Sequence, residues 1–226
     1  MTYLPIIELL ASDAIHHEFT VKGWVRSFRA NQFIAVNDGS TIKNIQCVVD
    51  FENTGETLLK RITIGSAVVI KGTLEESQGA GQRVEIKVQS IEIAGDADPE
   101  EVKLTILSPK RHSLEKLREQ AHLRVRTNTF GAIMRMRSKL SYAIHKYFNE
   151  KGFYQAHTPI ITGSDAEGAG EMFQITSLDH TNLPKTETGA IDYSQDFFGK
   201  ETNLTVSGQL EAETYALGLG KVYTFG

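Results

Sequence analysis

Two stretches of the chain decide its fold and its chemistry. Residues 159–173 read PIITGSDAEGAGEMF, and residues 204–213 read LTVSGQLEAE. The first stretch combines acidic side chains with glycines, which give a loop the freedom to close over a ligand. The second predicts a strand, a turn at Ser207-Gly208 and the start of a helix. Together they place carboxylate and amide side chains where a small zwitterion can be held.

A long amphipathic helix precedes these stretches. Apolar side chains recur at helical spacing between Thr127 and Lys151, and Gly152 follows as a stop signal. This stripe predicts a buried helix face and says nothing about function. Its members are Phe130, Ile133, Met134, Leu140, Ile144, Tyr147 and Phe148. The elements predicted after it are strands at Phe153–Thr158, Phe173–Leu178 and Leu204–Val206, a loop-rich insertion at 179–203, and a helix at Gln209–Leu219.

Residues 1–104 have a different character, with short β-rich runs separated by turn signals. A piece with helical spacing, Glu56–Ile64, lies between the third and fourth runs. Five strands with a helix in that position are the order of an OB-fold, a small barrel that binds oligonucleotides. A small barrel without a nucleic-acid role is the alternative. The five runs are Phe19–Phe28, Gln32–Asn37, Ile45–Phe51, Ser66–Glu75 and Gln82–Ala94.

Composition restricts the remaining possibilities. A length of 226 residues suffices for two modest domains, and no apolar run is long enough to predict a membrane span. The single cysteine, Cys47, excludes an internal disulfide and fits a cytoplasmic location, and its apolar neighbours predict a core position. No metal site is predicted. Residues 106–147 hold ten Lys and Arg against two Asp and Glu, between two acidic regions, which fits either a phosphate backbone or a solvated helix face.

These segments closely resemble the asparaginyl-tRNA synthetases, class II enzymes of the aspartate-like subgroup. The long helix, then Gly152-Phe153 and Thr158-Pro159, resembles motif 1, which forms the dimer interface in that family and assigns Pro159 to it. The runs EGAGEMF (167–173) and VSGQL (206–210) are more specific. Aspartyl enzymes have Glu-Gly-Ala-Arg and Ser-Pro-Gln-Leu at these points, with a lysine two residues after the second run.

The resemblance implies an α+β chain in three parts. Residues 1–104 would form a five-stranded OB-fold β-barrel that binds the anticodon, and residues 105–126 a basic hinge or linker. Residues 127–226 would form the first part of a class II antiparallel-sheet catalytic domain. Motifs 2 and 3, which carry the family's ATP-binding arginines, have no counterpart in the chain, so no catalytic residue is predicted.

The resemblance also implies an asparagine pocket. Glu167, Ser207 and Gln209 match positions that contact the substrate α-ammonium. The aspartyl lysine aligns with Ala212, and Glu213 lies one helical turn after Gln209. A carboxylate accepts a hydrogen bond from the asparagine amide and repels aspartate, by roughly 4 kcal/mol at about 4 Å with an effective dielectric near 20. Glu213 is therefore the predicted specificity residue, and Glu211 the rival.

For the nucleic acid, the resemblance implies contacts on the barrel. Phe33 aligns with the base-stacking aromatic of the family, Gln46 with a base-reading amide, and Glu85 with a third anticodon position. Arg26, near the end of its strand, is predicted to meet the anticodon region through phosphates. The alternative for Phe33 is a place in the barrel core.

The function implied is asparagine–tRNA ligation by a homodimer, with tRNA-Asn, L-asparagine and ATP as partners and Mg²⁺ as cofactor. The parent enzyme would join asparagine to ATP, release pyrophosphate and pass the asparaginyl group to the 3′-terminal ribose. Neither ATP nor Mg²⁺ is predicted to bind residues of this chain, which we expect not to activate asparagine alone. The alternatives are an aspartyl-type synthetase and a non-catalytic OB-fold nucleic-acid-binding protein.

Overall fold

The computed structural model describes residues 2–50, 52, 54–79, 81–164 and 172–225. The chain divides into two compact units, residues 1–137 and 138–226.

The first unit is built on a closed β-barrel. Strand β2 pairs antiparallel with both β3 and β5, β4 pairs parallel with β6, and β5 pairs antiparallel with β6, which closes the barrel. The helix α2 lies between β4 and β5, so the predicted OB-fold is confirmed. The elements are β1 (Thr2–Tyr3), α1 (Ile6–Leu9), β2 (Glu18–Arg29), β3 (Phe33–Asn37), β4 (Ile45–Val48), α2 (Glu56–Arg61), β5 (Ala67–Glu76) and β6 (Val84–Gly95).

Alternation along the strands fills the barrel. Because successive side chains point to opposite faces of a strand, every second residue of β3, β4 and β5 is buried. Cys47 is fully buried in this core, as predicted, and burial raises the pKa of its thiol. The other large side chains with almost no exposure are Ile6, Leu9, Val21, Val25, Ile34, Val36, Ile45, Val49, Val68, Ile70, Leu74 and Ile86.

Two local features let the strands curve. The pairing of β2 with β3 shifts between Val25 and Ser27, and this β-bulge bends the long strand so that it serves two neighbours. Gly72 lies where β5 and β6 approach closely, since a Cβ there would be 2.2 Å from the Lys87 carbonyl oxygen.

Short helices follow the barrel. Asp98 caps α3 (Pro99–Lys103) and Ser113 caps α4 (Leu114–Glu119), each through a side-chain oxygen that accepts a backbone N–H. Next come α5 (Ala121–Arg124) and the long helix α6 (Asn128–Glu150). Ile106 and Leu117 are buried within this segment, and the Gln120 carboxamide accepts from the Ile106 amide at 2.8 Å. The predicted linker is therefore folded over much of its length.

The second unit contains much shorter strands. Strand β10 lies between β8 and β9 in an antiparallel sheet, and β11 pairs parallel with β7. The predicted helix Gln209–Leu219 is observed with the same bounds. The elements are β7 (Tyr154–Gln155), β8 (Ile161–Thr162), β9 (Gln174–Ile175), β10 (Thr202–Leu204), α7 (Gln209–Leu219) and β11 (Val222–Tyr223).

The predicted insertion 179–203 is held down by one buried carboxylate. Asp196 accepts hydrogen bonds from the Ser177 amide (2.9 Å), the Ser177 hydroxyl (2.8 Å) and the Phe197 amide (2.7 Å). The Thr176 hydroxyl and these donors hold the pKa of Asp196 well below its usual range. The segment therefore has a fixed anchor next to β9.

The apolar stripe of α6 is not buried, so that prediction was wrong. Ile133 is 45% exposed, Leu140 57% and Tyr147 59%. Among the described residues the best packed part of the stripe is its end, where the Phe148 ring stacks on Tyr223 at 4.4 Å between centroids. Helical periodicity shows which face of a helix is apolar, but it does not show whether the chain supplies a partner for that face.

Candidate functional site

The outer face of the barrel brings together three of the predicted anticodon residues. Phe33 pairs with Val48 and Ala35 pairs with Gln46, so all four side chains lie on the face opposite the buried Ile34 and Cys47 rows. Phe33 is partly exposed and is not a core residue. Its ring is therefore available as a stacking surface beside the Gln46 amide.

Gln46 and Glu85 belong to one hydrogen-bonded group. Glu85 Oε2 accepts from Gln46 Nε2 at 3.1 Å, from the Ser77 hydroxyl at 2.8 Å and from Gln82 Nε2 at 3.2 Å. These bonds orient the Gln46 amide before any ligand arrives. Sequence reasoning missed Ser77 and Gln82, which lie in the loop between β5 and β6, because no local pattern signals that they share an acceptor with the distant Gln46.

Arg26 lies in a different environment. It occupies the bulge of β2, and its guanidinium donates a 2.8 Å hydrogen bond to the Arg126 carbonyl. Burial lowers the pKa of Arg26, and the Arg126 guanidinium lies 5.1 Å from the centre of the Trp24 ring. Arg26 therefore faces the folded segment that follows the barrel.

In the second unit, a cavity of about 510 Å³ lies beside the turn that precedes α7. Ser207 and Pro159 both line it. The Thr205 amide donates to the Ile160 carbonyl at 2.8 Å, which fixes the turn against the start of β8. Gly208 is required at the turn, since a Cβ there would lie 2.4 Å from the Thr158 hydroxyl.

The first turn of α7 carries the predicted amide and carboxylate. Gln209 Nε2 donates to Glu213 Oε1 at 3.1 Å, the contact that their spacing along a helix allows. Glu211 is half-buried, and its Oε2 is buried with no hydrogen-bond partner among the described residues. Glu167 lies outside the described residues. Gln209 and Glu213 are both exposed, and neither lines the cavity beside Ser207; Ala212 lies between them in the sequence.

In the parts of the chain that the structure describes, no group of three or more His, Cys, Asp or Glu side chains is arranged to hold a metal ion. Within the same residues, no helix combines the length and the apolar character needed to cross a membrane.

Two protein-family models match successive parts of the chain, and the second match begins within the first structural unit. A model described as "OB-fold nucleic acid binding domain" matches residues 19–94. A second, described as "tRNA synthetases class II (D, K and N)", matches residues 113–226.

Curated relatives match nearly the whole chain. The asparagine–tRNA ligase of Azobacteroides pseudotrichonymphae is 57% identical over 224 residues, which is 98% of this chain and 48% of the relative. That of Cytophaga hutchinsonii is 53% identical over 231 residues, covering 100% of this chain and 49% of the relative. The chain spans about half the length of the curated relatives it matches.

A solved structure supports the fold. Asparaginyl-tRNA synthetase from Pyrococcus horikoshii, crystallised with asparaginyl-adenylate, superposes with a TM-score of 0.76 at 21% identity, over 99% of this chain and 47% of the other. At that identity the likeness describes architecture alone.

Proposed function

The chain belongs to the class II tRNA synthetases (D, K and N), and we propose that it is a portion of an asparagine–tRNA ligase. Support comes from the 57% identity to such a ligase across 98% of the chain. In this proposal the barrel binds the anticodon of tRNA-Asn, and residues 138–226 contribute part of the asparagine pocket.

The choice of asparagine over aspartate is carried by one observation, the Gln209–Glu213 pair on α7 with alanine at position 212. Glu213 supplies an acceptor for the substrate amide N–H, while position 212 offers no cation for a substrate carboxylate. A carboxylate facing another carboxylate is repelled, whereas an amide satisfies the same acceptor. A site built around a hydrogen-bonded substrate group rejects the analogue that lacks it.

The other pocket residues act on the α-ammonium end of the substrate. Ser207 lines the cavity at the turn that Gly208 and Thr158 fix in place, and Gln209 follows as the first residue of α7. Glu167 supplies a further carboxylate in this proposal. Fixed acceptors around an ammonium orient the substrate carboxylate for reaction, which lowers the entropic part of the barrier.

ATP use follows from the class, and the proposed reaction joins asparagine to ATP, releases pyrophosphate and transfers the asparaginyl group to the tRNA 3′-terminal ribose. Mg²⁺ assists that chemistry when bound, by neutralising phosphate charge. In this proposal no residue of this chain is assigned to the ion.

On the barrel, Phe33 stacks on an anticodon base and Gln46 reads a base edge, with Glu85 orienting the amide.

The proposal also includes a cytoplasmic homodimer with Pro159 in the subunit contact. Pro159 is exposed, and sedimentation of the wild type and Pro159→Asp tests this contact.

The central test is binding of tRNA-Asn to this chain, with the natural anticodon and with each anticodon base altered. We expect binding to weaken when the anticodon changes. In parallel, the chain is titrated with asparagine and with aspartate in a calorimeter. We expect heat of binding from asparagine and none from aspartate. Equal affinity for all anticodons and for unrelated single-stranded RNA would contradict the proposal and favour a general nucleic-acid-binding barrel.

A further inference from the structure

A second open site lies in the first unit, between the barrel and the segment that follows it. It is a cleft of about 670 Å³, here called the linker cleft. Its walls come from the β2 bulge, the start of β4, residues 106–114 and the first residues of α6. Four of its lining residues are basic or titratable, namely Arg26, Lys110, Arg111 and His112, and none of the described residues that line it is acidic.

The charges of the linker cleft are not neutralised within the described structure. Lys110 and Arg111 are exposed and enter no ion pair among the described residues. Arg26 bonds a backbone carbonyl through one Nη, which uses one of its five N–H donors and none of its charge. A concave surface with several cations and no counter-charge attracts an anion.

Hydrogen-bond donors that carry no charge complete the site. Asn44 and Asn128 line the linker cleft with amide groups, and the exposed Thr129 adds a hydroxyl. Phosphate oxygens in nucleic-acid complexes are contacted by this mixture of Arg, Lys, Asn and Thr side chains.

The linker cleft adjoins the face that carries Phe33 and Gln46. Ser27, which lines the cleft, pairs with Ala35, and Ala35 pairs with Gln46. These three residues form one row across β2, β3 and β4, so Ser27 and Gln46 are about 10 Å apart, two strand spacings. Asn44, also in the wall, precedes Gln46 by two residues.

We propose that the linker cleft binds phosphates of the tRNA sugar–phosphate backbone next to the bases held at Phe33 and Gln46. This inference rests on the proposed function and assigns a part of the tRNA to a defined site. Phosphate contacts position a nucleic acid and carry no sequence information, whereas base contacts discriminate. The linker cleft therefore contributes affinity that depends on salt, and the Phe33 face contributes preference for the anticodon.

The test measures the dissociation constant of the full chain for tRNA-Asn at several salt concentrations. The variant K110A/R111A removes two exposed cations from the cleft, and K60A/K71A removes two exposed cations that do not line it. We expect K110A/R111A to weaken binding about tenfold near 0.1 M salt and to reduce the slope of log K against log salt by about 1 to 2. The ratio of affinities for natural and altered anticodons should not change.

The results distinguish a failure of the proposed function from a failure of the linker-cleft assignment. If the wild type shows no anticodon preference, the proposed function fails. If the preference is present and K110A/R111A keeps the wild-type salt slope, or matches K60A/K71A, the assignment of the linker cleft is overturned.

Inorganic tripolyphosphate is the remaining probe. If it binds the wild type through Lys110 and Arg111 without competing with tRNA, the cleft is a site for free phosphate and the backbone assignment is also overturned.

Discussion

The two units of the chain bury their apolar side chains to very different degrees. The barrel encloses a continuous core, with Ile34, Ile70, Leu74 and Ile86 fully shielded from solvent. In the described part of the second unit, Ala156 is the one buried apolar residue. Large apolar side chains there remain exposed, Leu217 by 91%.

This difference follows from the extent of strand pairing within each unit. The barrel strands pair with each other over long stretches, so their backbone groups and apolar faces are satisfied internally. The strands of the second unit are two or three residues long. Isolated pairs of short strands have little stability of their own. The barrel should therefore dominate the cooperative unfolding of this chain.

The largest expected effect comes from truncating one leucine in each unit, which tests whether the two cores differ in stability. Leu74→Ala removes a fully buried side chain from the barrel and should lower the free energy of unfolding by about 2–5 kcal/mol. Leu217→Ala alters an exposed side chain and should change it by less than about 0.5 kcal/mol. Urea unfolding followed by circular dichroism and by Trp24 fluorescence measures both. Equal losses would show that the second unit has a comparable core.

A second prediction separates the units by function. Phe33→Ala should weaken tRNA-Asn binding by about 1–3 kcal/mol, the contribution of one stacked base, and should reduce anticodon preference. Gln209→Ala alters the second unit and should leave anticodon preference unchanged. Fluorescence anisotropy with labelled tRNA gives both values. If Gln209→Ala affected anticodon preference as strongly as Phe33→Ala, the barrel would not read the anticodon independently.

A third prediction concerns acid. The folded-state pKa of Asp196 is lowered by the Thr176 hydroxyl and by the Ser177 and Phe197 donors. Its stabilising contribution is therefore complete above the pKa of the unfolded chain, about 3.9, and is lost as the pH falls through the folded-state pKa.

The Ser177 and Phe197 amide signals in NMR spectra should consequently keep their dispersion at about pH 4 and lose it only at lower pH, as Asp196 becomes protonated in the folded chain. In Asp196→Asn, these signals should differ from those of the wild type at neutral pH and vary little on acidification. If the wild type and the variant had the same pH profile, Asp196 would not be the anchor of the insertion.

The last prediction compares the effect of a glycine-to-alanine substitution on stability at two positions. Gly218→Ala, at an open position on α7, should stabilise the helix by up to about 1 kcal/mol. Gly72→Ala forces a Cβ against the Lys87 carbonyl in the barrel and should destabilise it. In thermal unfolding, the Tm of Gly218→Ala should rise and the Tm of Gly72→Ala should fall, because β5 and β6 lie close together at Gly72. A stabilised Gly72→Ala would contradict that packing.

The barrel was predictable because alternation and turn signals act locally. Each predicted strand lies within a few residues of its observed bounds, and α7 has the predicted ones. Whether the apolar face of α6 is buried could not be predicted in the same way. Its stripe, including Leu140, reports an apolar surface, while the residues that would cover that surface are a property of the tertiary structure.

The candidate sites show the same limit. The contact between Gln209 and Glu213 follows from helical spacing, so the sequence indicated it. The hydrogen bond between Gln46 and Glu85 joins residues 39 positions apart and depends on the pairing of β4 with β6, and the linker cleft depends on how a predicted hinge folds against a barrel. Distances between residues far apart in sequence are not encoded in local spacing.

The burial of Cys47 has a practical consequence. It is the sole thiol of the chain, and it lies inside the barrel with no exposed surface. A thiol reagent can modify it only when the barrel opens, so the labelling rate at neutral pH reports how often that event occurs. Ligands that bind the closed barrel should slow this reaction in proportion to their occupancy. The labelling rate of this one sulfur atom therefore measures how often the surrounding barrel opens.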